Sequence, residues 1–213
     1  MANITLVIGN KNYSPWPLRP WLVLKQIGVE FKEVRLPLHT PKFEQEIEKY
    51  SPSGKVPCLI DGDIRVWESL AICEYLAEKF PQANLWPKAP RARAYARSIS
   101  NEMHAGFMGL RKNCPMNIRG RVSKDISDDV QSDVKRITEI WRETRSQFGN
   151  SRSYLFDSFT IADAMYAPVV TRFVTYDIKV DADAQKYMST ILSLPAMKEW
   201  IAAAEKEEEV LTH

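Results

Sequence analysis

SGKVPCLIDGDIRVWESLAICEY, residues 53–75, decides how the rest of the chain is read. Pro57 opens the apolar run Pro57-Cys58-Leu59-Ile60, which reads as a strand whose first residue needs no ladder donor. Asp61-Gly62-Asp63 supplies a tight turn, and Ile64-Arg65-Val66-Trp67 alternates apolar with polar as a second strand does. The pair is a β-hairpin. Beyond Trp67 the spacing changes, because Leu70, Ile72, Cys73, Leu76 and Phe80 recur near the helical period. A helix therefore starts at about Glu68-Ser69.

A helix start offers unpaired N–H groups and a positive dipole end, so it can hold a carboxylate. Ser69 adds a hydroxyl, and Glu68 adds a negative charge suited to an ammonium group. An anion site beside a cation site describes the amino-acid end of a small peptide. Two readings of Val56-Pro57 are open. A cis bond turns the Val56 N–H and C=O outward toward an extended peptide; a trans proline opens an edge strand, with Glu68-Ser69 as an ordinary helix cap.

Gly54-Lys55-Val56-Pro57 followed by Glu68-Ser69-Leu70-Ala71-Ile72 resembles the glutathione-binding half of the cytosolic glutathione transferases. The resemblance implies glutathione as cosubstrate and a cis-proline at Pro57. It also implies pairing of the Val56 backbone with the cysteinyl part of glutathione, and contact of Glu68 and Ser69 with the γ-glutamyl end.

The 213 residues make one domain or two small ones, and 45% hydrophobic content is enough for a real core. Net charge is +2, from 29 basic and 27 acidic residues, so no field argues for nucleic acid or membrane. Cys58, Cys73 and Cys114 form no CxxC and no metal-ligand spacing, and no metal is expected. Cys58 and Cys73 sit in apolar runs as core thiols. An odd cysteine count without a signal peptide points to the cytoplasm. No apolar run reaches the length of a membrane span.

Taken from the start, Ile4-Thr5-Leu6-Val7-Ile8 is a buried strand ending at Gly9-Asn10. Pro15 and Pro17 flank Trp16 and argue against helix there, whereas Leu18, Trp21, Leu22, Leu24 and Ile27 keep helical spacing up to Gly28. Residues 29–36 read as a second strand, parallel to the first, and residues 41–49 as a helix. The order βαβαββα, ending near Lys79, is an α/β thioredoxin-like domain. Three prolines in residues 81–90 mark a linker, and beyond Arg91 no segment reads as a strand. Residues 91–113 and 125–148 are helical, and Thr160-Ile161-Ala162-Asp163 is a capping box opening a helix that Pro168 kinks. The expected domains are 1–80, thioredoxin-like, and 91–213, all-helical, joined by 81–90. The capping box resembles the capped central helix of the transferases' all-helical second domain, so the resemblance spans nearly the whole chain.

That resemblance places sulfur activation at the loop before the first helix, and aligns Ser14 with the catalytic serine of the serine-type classes, the zeta class above all. A free thiol has a pKa of about 8.5 and is mostly protonated at neutral pH. A hydroxyl donor with a helix N-terminus stabilises the thiolate. Ser14 is the expected donor; the alternative is that it only caps the helix. Tyr13 is a rival, read as a solvent-facing loop tyrosine packed at the domain interface. Zeta enzymes carry Ser-Ser-Cys here, whereas this chain has Ser14-Pro15-Trp16, so disulfide-forming chemistry by a protein thiol is not expected at the loop.

Lys55 and His39 are candidates for the glycine carboxylate of glutathione, against a reading as solvated loop residues. The acceptor pocket is expected between the domains, with Trp16, Phe107 and Met108 as an apolar wall and His104 and Arg111 polarising an electrophile. The plainer alternative makes Met103, Phe107 and Leu110 core. Arg111 and Arg119 leave an anionic acceptor open. The expected protein is a homodimeric transferase adding the glutathione thiolate to a small electrophile. Alternatives are a glutathione-dependent isomerase of the maleylacetoacetate type and a non-catalytic binding protein on the same fold.

Overall fold

The computed structural model describes residues 4–123, 125–149 and 153–211. Residues 1–3 and 212–213, at the outer ends of the two expected domains, lie outside the described residues. The first part runs β1 (Ile4–Ile8), α1 (Pro15–Ile27), β2 (Lys32–Arg35), α2 (Pro41–Tyr50), β3 (Cys58–Asp61), β4 (Ile64–Trp67) and α3 (Ser69–Lys79). The sheet order is β2-β1-β3-β4, with β1 parallel to β2 and antiparallel to β3. This is the thioredoxin-like βαβαββα arrangement.

Side chains alternate across β1. Ile4, Leu6 and Ile8 point to one face and join Leu18, Trp21, Leu22, Ile72 and Leu76 of α1 and α3, while Val7 points to the other and packs with Leu36, Ile47 and Cys58. The sheet is thus covered on both faces. β2 is shorter than residues 29–36, and its Lys32 and Glu33 are exposed, consistent with an edge strand. The largest correction concerns α1, which begins at Pro15, so Pro15, Trp16 and Pro17 form its first turn. First-turn N–H groups have no intrahelical partner, and prolines lose nothing there.

After a 3₁₀ turn at Pro81–Ala83 come α4 (Pro90–Ala105), α5 (Met108–Asn113), α6 (Asp128–Phe148), α7 (Ile161–Thr175), α8 (Ala182–Ser193) and α9 (Pro195–Glu205). No strand occurs here among the described residues. The helix expected over 91–113 is broken at Gly106-Phe107, where Phe107 adopts φ 62°. α6 begins three residues later than expected. α7 is the central helix: apart from Val174 all its residues are buried, and it packs on α1 and α4. Its capping box forms as read from the sequence, and Pro168 lies inside the helix.

Asp163 does more than cap. Its carboxylate accepts from the backbone N–H of Leu155 (3.0 Å) and of Thr160 (2.8 Å), from the Thr160 hydroxyl (3.0 Å) and from the Tyr187 hydroxyl (3.3 Å), all buried. One side chain thereby ties the 155–160 loop and α8 to the start of α7. Nearby, the Ile161 N–H donates to the Leu85 carbonyl at 3.0 Å and holds the connecting segment against the same helix end.

Candidate active site

The loop between β1 and α1 and the segment before β3 meet at a cleft of about 390 Å³, lined by Ser14, Tyr13, Trp16, His39, Lys55 and Val56, with Leu38 and Phe43 supplying apolar surface. The Val56–Pro57 bond is cis. Lys55 is exposed beside it, and Gly54 takes φ 67°, which favours glycine. His39 also has positive φ, 57°.

Ser14 occupies the N-cap of α1, is only 4% exposed, and donates its N–H to the Asn10 carbonyl at 2.9 Å. Its hydroxyl makes no cap hydrogen bond. The sequence supplies part of the reason: an N-cap oxygen accepts from the N2 or N3 N–H, N3 is Pro17, which has none, and the remaining N2 donor, Trp16, is not bonded by Ser14. The hydroxyl is therefore left for something in the cleft. The same prolines limit what the helix end can offer, since the first turn retains only the Trp16 N–H.

Tyr13 is not solvent-facing. It is 8% exposed, and its hydroxyl accepts from Arg119 Nη2 at 3.3 Å.

At the start of α3, Glu68 is the N-cap residue with φ 69° and ψ 124°, a conformation that a side chain makes costly, by about 1–3 kcal/mol. Its carboxylate is more than half exposed and lies 3.7 Å from His104 Nε2. Ser69 is fully buried, and its hydroxyl accepts from Arg19 Nη1 at 3.4 Å.

Around Trp16 the two domains meet through cations. The Arg19 guanidinium lies 4.4 Å and the Arg111 guanidinium 4.8 Å from the Trp16 ring centre, and the His104 ring stands edge-on at 5.3 Å. Burial, with Arg19 and Arg111 nearby, pushes the His104 pKa down against the pull of Glu68. The surroundings thus bias His104 toward its neutral form. Arg111 donates Nε to the Gly106 carbonyl at 2.8 Å and Nη2 to the carbonyls of Met103 and His104. Most of its donors therefore close the C-terminus of α4.

Of the expected acceptor wall, the fold brings Trp16, His104 and Arg111 together. Phe107 is buried in the core with Met103 and Leu110, Met108 is 64% exposed, and of these residues only Trp16 lines the cleft itself. Arg19 escaped the sequence reading although it carried a signal, a lone cation in the apolar run of residues 18–24. It is fully buried, donates Nε to the Met165 carbonyl of α7 at 3.2 Å, and burial holds its pKa well below the usual range. The three cysteines are buried and form no disulfide with one another. Burial pushes the thiols of Cys58 and Cys73 up, away from reactivity. Among the described residues no group of His, Cys, Asp and Glu is arranged to hold a metal.

Two sequence profiles match the chain, that of the glutathione S-transferase N-terminal domain over residues 13–79 and that of the C-terminal domain over residues 125–203. The chain belongs to the glutathione S-transferase superfamily. It is 29% identical to a probable maleylacetoacetate isomerase of Caenorhabditis elegans, over 85% of either chain. It is 25% identical to a stringent starvation protein A homolog of Coxiella burnetii, over 88% of this chain and 85% of the other. A Burkholderia glutathione transferase homolog solved with bound glutathione superposes with TM-score 0.73 at 22% identity, covering 97% of this chain and all of the other. The fold is therefore the glutathione transferase fold, and its cleft is lined by the β1–α1 loop and by the segment up to the cis Val56–Pro57 bond. Among the described residues no helix is long and apolar enough to cross a membrane.

Proposed function

We propose that the protein binds glutathione in this cleft and stabilises its thiolate for addition to a small electrophile, as a serine-type, zeta-like transferase. The observation that carries the reading is the Ser14 hydroxyl, buried at the cleft and making no cap bond. Ser14 donates to the sulfur. The Val56 N–H and C=O pair with the peptide backbone, Glu68 holds the ammonium of the γ-glutamyl end with Ser69 on its carboxylate, and Lys55, with His39, faces the glycine carboxylate. Holding thiolate and acceptor side by side supplies the rest of the rate.

The acceptor lies toward Trp16, with His104 and Arg111 at the domain boundary and Phe107 and Met108 further along the same segment. Residues 1–80 and 91–213 form the two domains, joined by 81–90, and the working protein is a cytoplasmic homodimer. A second reading has support from the nematode relative, a probable maleylacetoacetate isomerase. Product analysis with a maleyl-type unsaturated acid and with a halogenated aromatic electrophile tests both. Glutathione retained in the product supports transfer, and glutathione regenerated beside a trans product supports isomerisation. Tight binding with neither product contradicts catalysis and leaves a binding protein.

Lys55 provides a smaller test. It is an exposed point charge, and such pairs contribute up to about 1 kcal/mol. Lys55→Ala should raise the glutathione Kd by up to about fivefold at low salt, and the difference should shrink at high salt. Calorimetry at two ionic strengths reads this, and an unchanged Kd removes Lys55 from the site.

A further inference from the structure

The β1–α1 loop is held from outside its own domain. Beyond α9 the chain leaves the helix and crosses behind this loop, where the Glu207 carboxylate accepts the Lys11 N–H on Oε1 (2.7 Å) and the Asn12 N–H on Oε2 (3.0 Å). Two consecutive backbone donors thus share one carboxylate. Arg35 of β2 fixes that carboxylate from the other side, with Nε 2.9 Å from Oε1 and Nη2 2.5 Å from Glu209. Arg119 clasps the same segment by donating to the carbonyls of Glu207 and Glu209, and Nη2 also reaches the Tyr13 hydroxyl at 3.3 Å. The Asn12 side chain joins the loop to Asn117 and to the Arg119 N–H, at 2.9 and 2.8 Å. Glu207 is 8% exposed at its side chain, whereas its neighbour Glu208 is exposed.

We infer that Glu207 is a positioning residue for thiol activation: the segment 206–209 sets the backbone of residues 11–14 and with it the Ser14 hydroxyl. This rests on the glutathione-activating role proposed for the loop. The geometry supports it because Ser14 has no cap bond of its own to hold it, and its backbone hangs from the Asn10 carbonyl two residues before the clamped Asn12. A carboxylate suits the task because it accepts both N–H groups while charged, and charge-assisted bonds of this kind are about twice as strong as neutral ones.

The test uses the full-length chain carrying Glu207→Ala, Glu207→Gln or, as control, Glu208→Ala. Amide hydrogen exchange of the free protein should speed up at residues 11–14 in Glu207→Ala, less in Glu207→Gln and not in Glu208→Ala. With glutathione added, the pKa of the bound thiol should rise toward the free value in Glu207→Ala, with kcat/KM about tenfold lower at pH 7 and glutathione Kd within about twofold. Glu207→Gln should recover part of both. Unchanged exchange overturns the clamp, and faster exchange with an unmoved thiol pKa overturns its role in activation. Loss of glutathione binding in Glu207→Ala alone also overturns it, by making Glu207 a binding or folding residue. If the unmutated protein binds no glutathione, the transferase reading fails, and with it the activating role, while exchange still decides the clamp.

Discussion

Ser14→Ala should lower kcat/KM about 30-fold at pH 7 and only a few-fold above pH 9. The number follows from the thiol: with a pKa near 8.5 about 3% of glutathione is ionised at pH 7, whereas a donor that lowers the pKa below 7 makes most of it thiolate. Removing the hydroxyl returns the sulfur to its free titration, so raising the pH restores what the mutation takes away. This signature separates activation from binding, since a lost binding contact would cost the same at every pH. At acid pH, where bound and free glutathione are both thiol, Kd should move less than threefold, because one hydrogen bond to a neutral thiol is worth little against water, and the Kd difference should grow as pH rises through the bound pKa. Compensation by the helix end is small, as Pro15 and Pro17 leave Trp16 the sole free N–H of the first turn. Steady-state kinetics from pH 6 to 9.5 read the result. A defect that does not shrink with pH excludes Ser14 as the activating donor.

Asp163→Ala should be the most damaging substitution for stability, on the order of 4 kcal/mol. It leaves the buried N–H groups of Leu155 and Thr160 without acceptors, at about 1–3 kcal/mol each, and removes the cap of the central helix. For a chain of this length the melting midpoint should fall by about 10 °C. Burial pushes the Asp163 carboxyl up to about 6, against its four hydrogen-bond donors. A carboxyl with raised folded pKa binds its proton more tightly in the native state. Its contribution is therefore full below the unfolded value of about 3.9 and is lost as pH rises through about 6. Urea unfolding should show the advantage of wild type over Asp163→Asn narrowing from pH 4 to pH 7, and a widening gap contradicts the assignment.

The local constraints were legible because they are local. The β3–β4 hairpin, the start of α3 and the Thr160–Asp163 box each rest on residues within ten positions of one another, so periodicity and turn chemistry could find them. Pro15-Trp16-Pro17 misled because proline is a helix breaker inside a helix and a helix starter in its first turn, and the residues that decide between these lie in the packing of Trp16 against Arg19 and Arg111. The Glu68 backbone at φ 69° leaves no trace in composition. Glu207 was invisible for a plainer reason, its partners Lys11 and Asn12 being 196 and 195 residues away. Of the residues expected at an acceptor wall, Trp16, His104 and Arg111 lie together, whereas the break at Gly106-Phe107 turns Met108 out to solvent.

The central claim is that this cleft makes a thiolate. The ultraviolet absorbance of the thiolate, followed against pH for glutathione bound to the unmutated protein, tests it most directly. The account predicts a bound-thiol pKa below 7, against about 8.5 in free solution. A bound thiol that titrates as it does in water would contradict the account, however tightly glutathione is held.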